Sequence, residues 1–237
     1  MKPIVQILTL VTGLTLPTIA GAESIVLKLY AYGIKAGTIT VNGAETTTAY
    51  SVNGLIAPSL LLKTFKDVGY SGKASGQIRH DSFRTKTYAG NARTGSRKSI
   101  VKMHWKGNRP VVDRYSPERE KRAYDIPPSK QVDTKDLLTA AYLTFKTVDA
   151  DHLCNVTHKM FDGRRRTEIS LDTPNISTKS ATCTGTYKRL AGFSPHQMQK
   201  GLNFPFTMYY EQQDDGTYRF KKFTSAATFG KIRAVRK

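Results

Sequence analysis

Short runs of β-forming residues follow one another along this chain with too little sequence between them for crossover helices. Ile25 to Tyr32 is rich in such residues, Gly33 interrupts it, and Lys35 to Val41 resumes extended character. Asn42-Gly43 is a strong hairpin signal and is read as the turn into a third strand, Thr46 to Val52. Parallel pairing needs a long crossover, so these strands predict an antiparallel meander. Further on, Ser82 to Tyr88 and Lys98 to Trp105 mix apolar and basic residues in near alternation. One face can then enter a core while the other displays cations.

The C-terminal part reads as strands at Leu153 to Met160, Arg165 to Leu171, Ala181 to Leu190, Phe204 to Glu211, Tyr218 to Phe223 and Phe229 to Val235. Asp162-Gly163 is the hairpin turn between the first two. Two helices interrupt the pattern. The first covers Leu55 to Lys66, with Pro58 in its opening turn and Leu60, Leu61, Leu62 and Phe65 near helical spacing. The second covers Lys135 to Lys146 behind an Asp133-Thr134 cap, with Leu137, Leu138, Ala141, Tyr142 and Phe145 on one stripe. Tyr115 to Val132, with Pro127-Pro128, is the longest irregular segment. The predicted fold is mainly β: a long curled antiparallel sheet, a β-roll or open barrel, around two short helices. Such a sheet can enclose an apolar groove.

Residues 1–22 have the layout of a secretory signal. Lys2 is the positive start, Ile4 to Leu16 is mostly apolar, and Ala20-Gly21-Ala22 offers small residues for a cut before Glu23. The expected mature chain, 23–237, is one β-rich domain with no second apolar run of spanning length. Export places Cys154 and Cys183 in an oxidising compartment, where one disulfide is the expectation.

Lys and Arg number 37 against 18 Asp and Glu, a net charge of +19. A field of that sign attracts polyanions. Export shifts the expected partner from nucleic acid to anionic lipid, lipopolysaccharide or acidic glycan, with peripheral contact at a membrane surface. The stretch from Lys73 to Arg122 alone holds 14 Lys and Arg against 4 Asp and Glu. Three clusters stand out: Arg119 with Lys121 and Arg122, the Arg164-Arg165-Arg166 triplet after the hairpin turn, and Lys231 to Lys237. Arginine forks match phosphate geometry, so Arg119, Lys121, Arg122, Arg164, Arg165 and Arg166 are candidate anion-binding residues. Exposed hairpin ends are polar in any case.

Known catalytic patterns are missing. Gly69 to Ala74 lacks the spacing of a phosphate loop. There is no Gly-x-Ser-x-Gly elbow, and the five histidines lack helix-borne zinc spacing. His104 beside Trp105 and His158 near Asp162 are the only catalytic pairings worth following. No cofactor or metal is expected.

Tyr32-Gly33-Ile34-Lys35-Ala36-Gly37, Asp136-Leu137-Leu138-Thr139-Ala140, Asp162-Gly163-Arg164-Arg165, Cys183 to Phe193 and Gly230-Lys231-Ile232 occur in an order that resembles the exported bacterial domain-of-unknown-function family 3108. The resemblance spans most of the mature chain. It implies a periplasmic protein of a Gram-negative envelope with a mostly antiparallel β-fold, and carries over no catalytic residues. The resulting expectation is a non-enzymatic envelope protein that binds an amphipathic anion. A structural or assembly factor of the envelope is the alternative, and a hydrolase of unrecognised type comes third.

Overall fold

The computed structural model describes residues 21–60, 63, 68–227 and 230–237. The signal-like segment lies outside these residues except for Gly21 and Ala22. Both open the first strand, pairing with Glu45 and Ala44, so the expected cut before Glu23 falls inside that strand. Among the described residues no helix is long and apolar enough to cross a membrane.

Among the described residues fourteen strands form one antiparallel sheet. They are β1 (Gly21–Ala31), β2 (Ile34–Glu45), β3 (Ala49–Pro58), β4 (Val68–Arg79), β5 (Ser82–Thr94), β6 (Arg97–Lys106) and β7 (Arg109–Ser116), then β8 (Val156–Phe161), β9 (Arg166–Leu171), β10 (Asn175–Ser177), β11 (Ser180–Ala191), β12 (Asn203–Gln212), β13 (Tyr218–Ala227) and β14 (Gly230–Arg236). The order is β7-β6-β5-β4-β3-β2-β1-β14-β13-β12-β11-β9-β8, with β10 paired to β11 off this path. Both halves are meanders, and β1 and β14 weld them together. The mainly β, curled-sheet expectation holds: the sheet rolls into a nearly closed barrel.

The seam between the edge strands β7 and β8 is bridged rather than paired. The segment before helix α1 (Leu137–Phe145) threads along it. Lys135 N–H donates to Lys159 O (2.8 Å), and Phe161 N–H donates to Lys135 O (3.0 Å). On the other side Asp133 N–H donates to Asn108 O (3.0 Å) in the turn after β6. Backbone groups at the β8 edge and at the β6–β7 turn thereby find partners that an open sheet would leave unmet.

Helix α1 enters the barrel, and its burial corrects the single-stripe expectation. Leu138, Thr139, Ala140, Tyr142 and Thr144 are buried, and they point in every direction around the helix. An all-round buried helix is a core element rather than a surface one. Asp136, not Asp133-Thr134, caps it: Asp136 Oδ1 accepts the N–H groups of Leu138 and Thr139, both at 2.9 Å. Asp133 sits at φ 57° and its carboxylate accepts from Asn108 Nδ2 instead. Thr85 Oγ1 (2.9 Å) and Thr139 Oγ1 donate to the other Asp136 oxygen, and Tyr50 Oη meets Thr139 Oγ1 at 3.1 Å. The fully buried carboxylate is thus satisfied by four donors. Phe161, Phe220, Ile25 and Leu27 complete the core with no exposed surface.

Three local expectations are corrected. Asn42-Gly43 is not a turn but lies inside β2, and the chain reverses at 46–48. Leu55 to Pro58 belongs to β3, not to a helix. Leu60 and Lys63 are helical, while 61–62 and 64–67 lie outside the described residues. Cys154 precedes β8 rather than lying in it, at φ 60°. It nonetheless forms the expected disulfide with Cys183, and both cysteines are buried. A second helix, α2 (Pro195–Gln199), was unexpected. Its capping box pairs Ser194 with Gln197, and Pro195 occupies its first turn.

Candidate functional site

Antiparallel register assembles one row of outward-facing side chains across five strands. Thr184 on β11 pairs with Thr207 on β12, and Thr207 with Thr224 on β13. Thr224 pairs with Arg233 on β14, and Arg233 with Tyr30 on β1. The neighbours of these residues face the core: Cys183, Met208, Phe223, Ala234 and Leu29. Strand spacing makes the row roughly 19 Å long.

This row floors a trough of about 850 Å³. The trough is concave because its side chains are short, with Gly185, Pro205 and Ala226 beside the threonines. The space above Gly185 on the core side is taken by the Phe206 ring. Threonine presents a methyl and a hydroxyl, so the floor offers both van der Waals contact and hydrogen-bonding groups.

The two ends of the trough differ in charge. At one end Thr184 Oγ1 donates to Asp172 Oδ2 at 2.8 Å. At the other end Lys231 and Arg233 line the wall. The Arg233 guanidinium stands 4.5 Å from the centroid of the Tyr30 ring. A stacked guanidinium keeps its N–H edge free for an anion. Neither Lys231 nor Arg233 makes an ion pair among the described residues, whereas Arg119, Lys146, Lys188, Lys221 and Arg236 each have a carboxylate partner. Among the described residues no histidine lines the trough.

The candidate anion-binding arginines converge elsewhere, at the seam. Arg164 lies 3.5 Å over the Tyr115 ring of β7, and its Nη2 donates to Pro117 O at 2.9 Å. Arg119 holds Asp125 with both arms of its fork, and Arg122 N–H donates to the same carboxylate. Arg122 Nη1 reaches Tyr124 Oη, Arg165 lies 5.2 Å from the Phe193 ring centroid, and Arg166 Nη1 is 3.3 Å from Gln131 Oε1. Lys121 is exposed. Arg164 thus ties the hairpin to the β7 side of the seam, and Arg119 braces its own loop. Asp162, at the hairpin turn, is pushed up by burial while the N–H groups of Arg164 (2.9 Å) and Arg165 (2.7 Å) pull it back.

The structure gives the two histidines other partners than those the sequence suggested. His104 Nδ1 lies 2.8 Å from Asp113 Oδ1 on the outer face, with Trp105 turned inward. His158 pairs with Ile169 across the sheet, and its pKa is lowered to about 4 by burial and then by the charge of Lys135. No group of three potential metal ligands occurs among the described residues. The trough itself gave no sequence signal, because its residues come from five strands and meet only through register.

No family model matches this chain, and no curated protein matches it. Among solved structures it is similar to a β-barrel-like protein of domain of unknown function 1849 from Brucella abortus. The identity is 10% and the TM-score 0.41, over 91% of this chain and 94% of that one. That is a different family of unknown function from the one its motifs resemble.

Proposed function

We propose that this chain is a non-enzymatic protein of the bacterial envelope that holds an amphipathic anion in the trough. The apolar part of the ligand lies along the threonine methyls, and its head group meets Arg233 and Lys231. The observation that carries this reading is a cationic end, stacked on Tyr30 and lacking a counter-charge, on a channel floored by short side chains. A buried disulfide and the signal-like leader support an exported location. Tyr32 and Ile34, large apolar residues that are 68% and 58% exposed, flank Gly33 at the cationic end. They give that end an apolar lip.

Native mass spectrometry after incubation with phosphatidylglycerol or phosphatidylcholine tests the reading. One-to-one adducts with the anionic lipid are expected, weakened roughly tenfold by Arg233→Gln, the size expected for one lost charged hydrogen bond. Absence of adducts, or equal adducts with both lipids, would overturn it. A second reading, an acidic glycan, is favoured by the hydroxyl row and the Tyr30 ring. It predicts that a uronic-acid oligosaccharide binds without any acyl chain and that Thr207→Val weakens it. If neither ligand class binds, the envelope assembly factor becomes the better description.

A further inference from the structure

A second concavity lies where the start of β5 runs beyond the end of β6. It is about 540 Å³ in volume, walled by the β4–β5 end, the β6–β7 turn and residues 133–135. Arg79, Arg84, Lys86 and Lys135 line it, against the single carboxylate of Asp133. None of these four cations makes an ion pair among the described residues. Arg84 and Lys86 are both exposed, and Lys86 sits where the β4–β5 register shifts, skipped between Thr85 and Thr87.

Lys135 distinguishes this cleft from an ordinary solvated basic edge. Its backbone is fixed at both N–H and C=O by β8, which anchors its Cα at the inner wall of the cleft. It is only partly exposed, and burial pulls its ammonium below the usual lysine range while Asp136 and Asp133 pull it back. The carboxylate of Asp136 is already satisfied by four donors. A cation held partly out of water without a dedicated partner is stabilised by any anion that enters. Trp105, the only tryptophan of the chain, lies in the wall, and its Nε1–H donates to Thr134 O at 2.9 Å.

We propose that this cleft is a separate binding site for a small soluble polyanion with two or more phosphate groups, clamped between Lys135 inside and Arg79, Arg84 and Lys86 at the rim. Guanidinium forks match phosphate oxygens, and cations on two sides of the cleft suit more than one charged group.

Titration of the whole protein with inorganic pyrophosphate at low ionic strength, read by Trp105 emission and by calorimetry, tests it. A saturable response is expected that weakens as salt rises. Lys135→Gln and Arg84→Gln should each weaken it roughly tenfold, the effect of one charge-assisted contact. Arg84 is exposed, so its loss tests the site without touching the core. Arg233→Gln, in the trough, should leave the response unchanged, which separates this site from the lipid reading. No saturable response by either method, or equal responses in all variants, would overturn the proposal. So would a response to phosphatidic acid vesicles but not to pyrophosphate, because it assigns the cleft to a head group instead.

Discussion

The ring of Tyr142 occupies the space that a side chain at residue 43 would need, so Gly43 in β2 is a seat for helix α1. The ring cannot easily retreat, because Tyr142 Oη donates to Glu45 Oε1 at 2.7 Å and the residue is buried. Gly43→Ala should therefore destabilise the protein by about 1–3 kcal/mol, the usual cost of overpacking. Thermal unfolding should show a midpoint lowered by roughly 2–10 °C. An unchanged midpoint would mean that α1 shifts freely inside the barrel.

Asp136 makes a second prediction about the same helix. Asp136→Ala removes the cap and leaves the N–H groups of Leu138 and Thr139 and the Thr85 hydroxyl short of a buried acceptor. The expected loss is about 2–4 kcal/mol, combining a lost cap with unmet buried donors. Urea denaturation measures it. Asp136→Asn keeps one acceptor oxygen and should lose less than the alanine variant.

Acid should act on the pair that joins the two ends of the described chain. Burial would raise the Glu23 carboxyl, but Arg236 and the N–H and O–H of Thr147 outweigh it and hold the group below its usual range. A carboxyl lowered on folding contributes stability that is complete above its unfolded value, about 4.3. That contribution is lost as pH falls through the folded value. The urea midpoint of the wild type should thus converge on that of Glu23→Gln over the acid window that opens below the unfolded value of about 4.3. Midpoints that keep a constant gap across this window would refute the assignment.

Reduction supplies a fourth test. The Cys154–Cys183 bridge closes a span of 29 positions. On the chain-entropy relation its loss costs about 3–4 kcal/mol. Both cysteines are buried, so dithiothreitol should leave the folded protein oxidised and act only after denaturant has opened the barrel. Thiol labelling at rising urea concentration checks this, and rapid labelling under native conditions would contradict it.

The strands, the Asp162-Gly163 turn, helix α1 and the disulfide pairing were legible from local sequence, because residue periodicity and turn chemistry act over a few residues. Several of the misreadings share one cause: a residue whose role is set by something distant. Gly43 looks like a turn glycine but makes room for Tyr142, ninety-nine positions on. Leu55 to Pro58 carries helix-like residues, yet β4 offers Leu55 and Ile56 strand partners at Ser71 and Tyr70. The arginines of 119–122 and 164–166 also have partners that no local window shows, such as Tyr115 and Pro117 for Arg164. The trough row needs the register of β1 and β11 through β14 at once, which no window of sequence contains. Ser194-Pro195 with Gln197 is by contrast a local helix-start signal, the capping box that opens α2.

The pairing of β1 with β14 has a kinetic side. Leu27 meets Arg236, more than two hundred positions away, and the two meanders are continuous only through that contact. Loop closure over such a distance is slow to be rewarded, so this ladder belongs to the late events of folding. A chain cut short before residue 230 would keep most of its hairpins yet expose β1 and β13 as two long unpaired edges. Such edges recruit strands from other molecules. For this protein, losing the last seven-residue strand is a route to aggregation rather than to a slightly smaller barrel.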